Sequence, residues 1–338
     1  MRTYKVMVIP GDGIGPSIVE SAVEVLKNTN LRFEFSFYEA GDAAAEKYGS
    51  AMPKETLNAA AESELILKGP SGETAKEVVL PLRQGLGLFV NLRPARSLPG
   101  VKSRLYEGEE VNLLIVRENS EGLYSRIETL QEDFAFNTRL ITRKATERIM
   151  RIACEQASRR RGKLTIVDKS NVLISDVFFR NICRNIGKNY PGIEINEMYV
   201  DNCAYQLVKN PSQFDVILTE NMFGDILSDL ASWVQGGLGL CPGANLSEDK
   251  GMFEPVHGAA FSMKNKNYAN PTAMILSAKM MLDWIGLKHG DREASVSAEK
   301  IEKALIKTLA QGKKTPDIGG TLSTKEFTVE IIKNMEQT

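Results

Sequence analysis

Short apolar runs alternate with helix-period segments along most of the chain, and this alternation narrows the choice of fold more than any other feature. We predict strands over residues 4–10, 64–68, 88–92, 112–116, 164–167, 196–200 and 215–218. After the first strand, residues spaced i, i+3, i+4, i+7 mark one apolar helix face: Val19, Ala22, Val23 and Leu26. Strands that alternate with helices are typical of α/β proteins with a largely parallel sheet, so we predict the α/β class.

Length and charge exclude several classes of protein. The 338 residues correspond to about two domains, at roughly 100–200 residues per domain. Lys+Arg is 42 and Asp+Glu is 43, so the net charge of −1 argues against a nucleic-acid binder. The basic run at 159–163 ends a helix-like segment, where cations complement the helix C terminus. No apolar run approaches the ~20 residues that span a bilayer and no signal peptide is recognisable, so we expect a cytoplasmic protein that binds no membrane.

The cysteines and histidines are too scattered for a zinc site. A structural zinc ion needs four clustered ligands, usually cysteine or histidine. We therefore expect reduced, buried thiols rather than a metal or a thiol nucleophile. The residues concerned are Cys154, Cys183, Cys203, Cys241, His257 and His289.

Charged residues follow several of the predicted strands. Ligands of open α/β sheets bind outside the carboxyl ends of the strands. A single charged residue there is equally well explained by polar sequence resuming after a strand, but five together favour one site assembled from distant segments. The five are Arg93, Arg117, Lys169, Asp201 and Asp225.

A glycine-rich turn, residues 11–15, joins the first strand to the first helix. Its glycines allow close backbone approach to a ligand, and helix N–H groups can bind phosphate. The spacing matches neither the dinucleotide fingerprint nor the P-loop. A phosphate site and a merely tight connection therefore both remain open. Pro16 suits the first helical turn, where its missing N–H has no partner to lose.

Asp225 and Asp229 are spaced i, i+4 and should share one helix face. Two neighbouring carboxylates repel each other unless a cation lies between them, and Mg²⁺ or Mn²⁺ prefers such oxygen ligands. The alternative is a solvated helix start, where aspartate is favoured by the helix dipole. Ile226, Leu230 and Trp233 form an adjoining apolar stripe, on which we expect the helix to pack.

Other side chains could bind and deprotonate an acidic substrate. The planar guanidinium of arginine pairs with a carboxylate through two hydrogen bonds, although surface salt bridges are the commoner use. Lys169 could act as a base if partly desolvated, and Tyr124 as a general acid. The arginines in or after apolar segments are Arg83, Arg93, Arg96 and Arg117.

Taken in order, these motifs resemble the β-decarboxylating dehydrogenases, the family of isopropylmalate, isocitrate and homoisocitrate dehydrogenases. The resemblance implies two interleaved α/β domains that share a large mixed sheet, with a cofactor site that is not a Rossmann fold. It places the cofactor domain at 1–88 and 236–338 and the substrate, metal and dimerisation domain at 89–235. The matching stretches are IPGDGIGP (9–16), NLRPARSLPG (91–100), VRENSEGLY (116–124), DKSNV (168–172), YVDNCA (199–204), TENMFGDILSDLAS (219–232), FEPVHGAA (253–260) and ANPTAMILSAKMML (269–282).

The resemblance also implies roles for the charged residues. Arg83, Arg93 and Arg117 would bind the carboxylates of a 2-hydroxy di- or tricarboxylate. Asp201, Asp225 and Asp229 would hold Mg²⁺ or Mn²⁺. Lys169 would assist deprotonation of the C2 hydroxyl, and Tyr124 would protonate the enolate left after CO₂ loss. In this family the equivalents of Lys169 and Asp201 come from the partner subunit, which implies a homodimer or dimer-based oligomer with shared active sites and an intersubunit arm near 122–141.

For the cofactor, the resemblance favours NAD and leaves NADP as the alternative. Ser262 and Met263 stand where NAD enzymes have an aspartate first and bacterial NADP-dependent isocitrate enzymes have Lys-Tyr. Pro316 and Gly320 resemble the NAD pattern, whereas Lys264 near Ser262 would tolerate NADP. The remaining residues that match cofactor-lining positions are Glu254, His257, Gly258, Ala259 and Asn270.

Substrate choice in this family depends on the segment that faces the group on C3. Here Val79 and Leu80 are apolar and would bury an isopropyl group. The segment is most similar to archaeal-type isopropylmalate dehydrogenases, which implies oxidative decarboxylation of 3-isopropylmalate in leucine biosynthesis. The alternatives are a homoisocitrate, isocitrate or broad-range malate-type dehydrogenase, and a non-catalytic regulatory paralogue. The presence of every catalytic and metal residue argues against the last.

Overall fold

The computed structural model describes residues 2–103 and 105–337, in which twelve strands are interspersed with eleven helices. The strands are β1 (Thr3–Ile9), β2 (Arg32–Phe37), β3 (Leu65–Lys68), β4 (Val90–Arg96), β5 (Asn112–Glu118), β6 (Glu128–Leu130), β7 (Ala135–Asn137), β8 (Lys163–Asp168), β9 (Glu194–Tyr199), β10 (Val216–Thr219), β11 (Pro242–Leu246) and β12 (Gly251–Pro255). The helices are α1 (Gly15–Lys27), α2 (Asp42–Tyr48), α3 (Lys54–Glu62), α4 (Ala75–Gly85), α5 (Arg143–Ser158), α6 (Ile174–Gly187), α7 (Val200–Lys209), α8 (Asn221–Gln235), α9 (Thr272–His289), α10 (Arg292–Ala310) and α11 (Thr324–Glu336). The predicted α/β class, with a large mixed sheet, is confirmed. In the described ranges no helix is both long and apolar enough to cross a membrane.

One compact unit comprises Met1–Leu88, Leu98–Lys102 and Gly236–Thr338. Its strands follow the order β2-β1-β3-β12-β11, parallel except for the β11–β12 pair. Helix α1 begins at Gly15 with Pro16 in its first turn, and all four residues of its predicted apolar face are buried. Residues 98–102, which the sequence analysis places in the other domain, belong to this unit instead. The Gly100 carbonyl there accepts a hydrogen bond from Lys314.

The second unit comprises Phe89–Ser97 and Ser103–Gln235. Its strands follow the order β4-β5-β10-β8-β9, and every pair except β4–β5 is parallel. The carboxyl ends of β5, β10, β8 and β9 therefore lie along the same edge of the sheet. That edge carries Arg117, Lys169, Asp201 and the start of α8, so the expected assembly of charged residues holds for these strands.

Arg93 departs from that expectation. We predicted that it follows a strand, but β4 continues to Arg96, so Arg93 lies in mid-strand opposite Ile115. Because β4 is antiparallel to β5, its carboxyl end lies at the opposite edge of the sheet. Arg93 reaches charged partners from the strand interior, which a rule based on strand ends does not describe.

The glycine-rich turn serves a structural purpose in this fold. Gly13 has φ +58°, and a Cβ atom placed on it would lie 1.9 Å from the carbonyl oxygen of Ala259. The next residue, Ile14, donates its backbone N–H to that same oxygen at 2.9 Å. Only glycine permits both the left-handed backbone and the close approach. The turn therefore holds the 257–260 segment directly against the start of α1.

All four cysteines are buried, free thiols. Burial raises the pKa of Cys154 to about 11 and that of Cys203 to about 12. A thiol is nucleophilic only as its thiolate, so these two are inert near neutral pH. Their position agrees with the expectation of reduced, buried cysteines.

Candidate active site

The centre of the candidate site is Asp225 on α8, which follows β10 after a single intervening residue, Glu220. Arg117 on β5 forms an ion pair with Asp225 Oδ1 through Nη1. Arg93 Nη1 lies 3.3 Å from the same oxygen, and the Tyr124 hydroxyl donates to Asp225 Oδ2 at 3.1 Å. Four predicted residues from distant segments thus meet. We call these residues, with Asp229, the Asp225 cluster.

The two arginines of the Asp225 cluster are held rigidly. Arg117 is 1% exposed, and its Nε and Nη2 both donate to Asn221 Oδ1, at 3.0 and 2.7 Å. A Cβ atom on Gly224 would lie 2.6 Å from Arg117 Cγ, so glycine is needed there for the arginine to fit. Arg93 donates to Ser228 Oγ at 2.6 Å. Buried cations fixed in this way are suited to binding a carboxylate-bearing ligand.

Tyr124 is poised to donate a proton. Burial and the neighbouring Asp225 carboxylate raise the pKa of Tyr124 above its ordinary value of 10. Both effects disfavour the phenolate, so the hydroxyl keeps its proton throughout the neutral pH range. A general acid must hold its proton until the reaction needs it, and Tyr124 meets that condition.

Asp225 and Asp229 fit one hard divalent cation as part of a ligand set. Arg93 Nη1 lies 3.3 Å from Asp225 Oδ1 and 3.7 Å from Asp229 Oδ1, so a cationic nitrogen already bridges the two carboxylates. Their oxygens are the donors that Mg²⁺ and Mn²⁺ prefer. Across residues 2–103 and 105–337, however, no three histidine, cysteine, aspartate or glutamate side chains are grouped closely enough to hold a metal ion. The third predicted ligand, Asp201, is therefore not brought to this pair within one chain.

Asp201 lies instead beside Lys169. The Lys169 Nζ donates to Asp201 Oδ1 at 2.6 Å, and the Asp201 side chain is 66% exposed. Lys169 lowers the pKa of Asp201 below its ordinary value of 3.8, which keeps the carboxylate charged. Two of the predicted residues thus form an exposed pair on the carboxyl-end edge of the second unit.

Arg83 lies in the first unit, where it shares a buried carboxylate with Lys68. Arg83 Nη2 is 3.1 Å and Lys68 Nζ 2.9 Å from the two oxygens of Glu254. The Nε of Arg83 is buried and has no hydrogen-bond partner, so this donor could serve a ligand. Val79 and Leu80 are half-buried and precede Arg83 by about one turn of α4, so apolar side chains adjoin this arginine.

Glu254 is a buried carboxylate of the first unit whose charge is compensated by two cations. Burial opposes its ionisation, but Lys68 and Arg83 together hold the pKa of Glu254 well below its ordinary value of 4.5. Asn245 also donates to it at 2.8 Å. We predicted that Glu254 binds the cofactor, and its carboxylate here pairs with two buried cations.

Replacing Glu254 by glutamine should lower the free energy of unfolding at pH 7 by about 3–5 kcal/mol, because it leaves two buried cations without a counter-charge. The folded-state pKa lies below the unfolded one, so the stabilisation is complete above pH 4.5 and declines as the pH falls below it. Urea unfolding of both proteins at pH 7 and pH 4 should show the gap narrowing at pH 4. Glu330→Gln, which removes a carboxylate from surface pairs with Lys313 and Lys333, should cost less than about 1 kcal/mol. An equal cost for the two variants would contradict the prediction.

The predicted cofactor segment has one buried polar atom left open. His257 Nε2 is buried without a hydrogen-bond partner, and burial lowers the pKa of His257, so the ring is neutral near pH 7. Ala260 has φ +44°, and the short 3₁₀ turn Phe261–Met263 follows, carrying Ser262. Asn270 is engaged, since its Nδ2 donates to Asp317 Oδ2 at 3.0 Å. An unsatisfied ring nitrogen beside a strained loop fits a segment that binds a polar ligand.

Several contributing residues were missed by sequence reasoning. Asn221 orients Arg117, Ser228 orients Arg93, and Lys68 neutralises Glu254. Lys68 had a signal, because a lysine at the end of an apolar run is seldom buried without a partner. Asn221 and Ser228 are ordinary helix residues in sequence, and only the fold shows which side chains they face.

One expected packing arrangement was wrong for two of its three residues. We expected α8 to pack on its stripe of Ile226, Leu230 and Trp233, but Ile226 is 60% and Trp233 is 49% exposed. The helix buries a different face, because Leu227 and Ala231 pack in the core beneath the sheet strands. Leu230 packs against this core, so only Ile226 and Trp233 of the stripe remain uncovered in a single chain.

Two arginines of the basic run at 159–163 bind groups of this chain. Arg160 Nε donates to Asp215 Oδ1 at 2.8 Å, and the Arg161 guanidinium donates to the Phe214 carbonyl. Asp215 is 1% exposed, so both arginines compensate one buried carboxylate. These contacts give the two arginines a structural role in the connection between α5 and β8.

Comparison with known proteins agrees with the resemblance seen in the sequence motifs. Residues 5–331 match the isocitrate/isopropylmalate dehydrogenase family. A 3-isopropylmalate dehydrogenase of Archaeoglobus fulgidus is 49% identical over 97% of this chain and 98% of its own. One from Methanothermobacter thermautotrophicus is 45% identical over 99% of this chain and 100% of its own. The crystal structure of isocitrate dehydrogenase from Methylococcus capsulatus is 40% identical with a TM-score of 0.92, covering 99% of this chain and 100% of that one. This chain therefore belongs to the isocitrate/isopropylmalate dehydrogenase family.

Proposed function

We propose that this protein is an NAD-dependent, metal-requiring dehydrogenase that oxidatively decarboxylates 3-isopropylmalate to 4-methyl-2-oxopentanoate and CO₂, a step of leucine biosynthesis in the cytoplasm. The observation that carries the proposal is the Asp225 cluster, which joins two fixed arginines, a protonated tyrosine and two carboxylates. A β-decarboxylation needs a proton donor, cations that bind the substrate carboxylates, and ligands for a metal ion. The names of the relatives from Archaeoglobus and Methanothermobacter support the choice of substrate.

Substrate binding, proton transfer and metal binding fall to different residues of the chain. Arg93 and Arg117 bind the malate carboxylates, and the family resemblance assigns Arg83 to the same substrate. Lys169 takes the proton of the C2 hydroxyl, and the Tyr124 hydroxyl returns a proton to C3 after CO₂ has left. A Mg²⁺ or Mn²⁺ ion held by Asp225, Asp229 and Asp201 would supply Lewis-acid stabilisation of negative charge at the C2 oxygen. NAD would accept the C2 hydride.

NAD is favoured over NADP by what the cofactor segment offers. The open Nε2 of the neutral His257 can form a hydrogen bond with a neutral ribose or amide group. Ser262 can do the same, but it is not a cation that would attract a 2′-phosphate. The proposed cofactor contacts also include Gly258, Ala259, Met263 and Asn270. Glu254 lies on β12, just before this segment, and would hold that strand in place through its two cations.

The isopropyl side chain is favoured by Val79 and Leu80. Both side chains are half-buried on α4 beside Arg83, so an apolar substituent would gain from contact with them. Isocitrate and homoisocitrate carry a carboxylate at this position, and neither Val79 nor Leu80 can pair with it. The alternative substrate is isocitrate, the substrate named for the Methylococcus structure at 40% identity.

We also propose a homodimer. The segment at 122–141 contains the two-stranded sheet of β6 and β7, on which Leu130 is 83%, Phe134 58% and Phe136 52% exposed. The α8 stripe of Ile226 and Trp233 adds a second uncovered apolar surface. Apolar patches of this kind mark interaction sites. A second copy that covers them would bring Lys169 and Asp201 to the Asp225 cluster of its neighbour.

The test is a substrate panel with the purified protein and Mg²⁺, run in parallel with NAD and NADP. We expect kcat/KM for 3-isopropylmalate with NAD to exceed that for isocitrate or homoisocitrate by about 100-fold or more, since an apolar pocket discriminates about 100-fold even against an added hydroxyl. A higher kcat/KM for either tricarboxylate would reassign the substrate. Inactivity on every 2-hydroxy acid would favour the regulatory paralogue.

A further inference from the structure

Arg139, at the end of the 122–141 segment, contacts two buried carboxylates that the proposed mechanism does not use. Its Nη1 lies 2.7 Å from Asp176 Oδ1, and its Nη2 lies 3.6 Å from Glu220 Oε1. Asp176 is 0% and Glu220 2% exposed. The same Nη1 also donates to Ser175 Oγ at 2.7 Å. Arg139 thus joins three different parts of the second unit.

Asp176 fixes the backbone at the proposed base. It lies in the first turn of α6, and its Oδ2 accepts the backbone N–H of Lys169 at 2.7 Å. Asp168, the residue before Lys169, is also buried and accepts hydrogen bonds from Arg180 through both carboxylate oxygens. The position of Lys169 therefore depends on buried ionic contacts beneath it.

Glu220 sets the start of the helix that carries Asp225. Its carboxylate accepts the backbone N–H groups of Met222 at 3.2 Å and Phe223 at 2.9 Å, which are first-turn donors of α8. The guanidinium carbon of Arg139 lies 5.2 Å from the centre of the Phe223 ring. Arg139 therefore lies beside the Glu220 carboxylate and beside the first turn of α8, which that carboxylate caps.

The charges make Arg139 necessary to both carboxylates. Burial raises the pKa of Glu220 above its ordinary value, Arg139 lowers it, and the neighbouring Asp176 raises it. Without the guanidinium, Asp176 and Glu220 would face each other as buried carboxylates with less compensation, which favours displacement of one of them.

We propose that Arg139 is a positioning residue, which holds the Lys169 backbone and the first turn of α8 in register through Asp176 and Glu220 without touching substrate. The inference rests on the proposed function, which assigns catalysis to Lys169 and Asp225. In the proposed homodimer these two residues serve different active sites, so a single arginine would support both.

The test compares Arg139→Met and Arg139→Lys with a matched control, Arg151→Met, which removes a half-exposed arginine paired with Glu147 on α5. We expect Arg139→Met to lower kcat by about 10- to 100-fold while KM stays within about threefold, since misplacement affects the chemical step. Backbone amide hydrogen exchange at Lys169, Met222 and Phe223 should be about tenfold faster. Arg139→Lys should restore part of the lost kcat and part of the protection from exchange. Arg151→Met should change neither kcat nor the exchange rates.

Unchanged kcat and exchange in Arg139→Met would overturn the inference, and so would a lower kcat with unchanged exchange at those three amides. If Arg139→Met does not fold, Arg139→Lys decides by the same two measurements, and wild-type values for both would overturn the proposal. A wild-type protein that turns over no 2-hydroxy acid would refute the proposed function alone, because the exchange measurement still tests the role of Arg139 in holding the two segments.

Discussion

Asp225→Asn should lower kcat/KM for the preferred substrate by about 10³-fold, the loss expected when one fixed electrostatic stabiliser of a transition state is removed. The carboxylate contacts Arg93, Arg117 and Tyr124, and in the proposed function it is also a metal ligand. Asparagine keeps the size and one acceptor oxygen but removes the charge. We therefore expect the concentration of Mg²⁺ that gives half-maximal activity to rise as well, measured by steady-state kinetics across a Mg²⁺ titration.

A matched control separates this effect from a general loss of acidic charge. Asp249→Asn changes a side chain that is 89% exposed and paired only at the surface with Lys288, so its kcat/KM and Mg²⁺ dependence should equal those of the wild type. Far-ultraviolet circular dichroism should show that both variants fold. Wild-type kcat/KM in a folded Asp225→Asn protein would remove Asp225 from the reaction.

The strands of the fold could be predicted because their signal is local. All seven predicted strands overlap observed ones, and the apolar face of α1 is buried as expected. Among the strands that were not predicted, β2 alternates phenylalanine with polar residues and had a local signal that we overlooked, whereas β11 and β12 have weak local signals. β11 and β12 contain proline and glycine, which disfavour strands in isolation, and their pairing depends on neighbours distant in sequence.

The candidate site was predictable in its residue types more than in its geometry. Tyr124, Arg117 and Asp225 were expected together and do meet, because parallel strands bring their carboxyl ends to one edge. The antiparallel direction of β4 could not be inferred from Arg93 and its neighbours, since an apolar run has no inherent direction in a sheet. The pairing of Lys68 with Glu254 was missed because the two residues are 186 positions apart in sequence, and a local pattern does not show which distant residues meet.

Mixing two inactive variants should restore activity if active sites are shared between subunits. Lys169→Met removes the proposed base and Asp225→Asn removes a proposed metal ligand, so each homodimer should be nearly inactive. After the two proteins are dissociated and reassociated at equal concentrations, we expect about a quarter of wild-type activity. Half of randomly formed dimers are mixed, and each mixed dimer has one site with neither change.

The structure supplies the matched negative control. Tyr124 and Asp225 are in contact within one chain, so a mixture of Tyr124→Phe with Asp225→Asn should leave each site of the mixed dimer with one defect and restore nothing. Lys169 pairs instead with Asp201, and within the described part of one chain Asp201 forms no three-carboxylate group with Asp225 and Asp229. Restoration in the first mixture and none in the second therefore requires that Lys169 act across the dimer interface. No restoration in either mixture would place Lys169 in the active site of its own chain or outside the reaction.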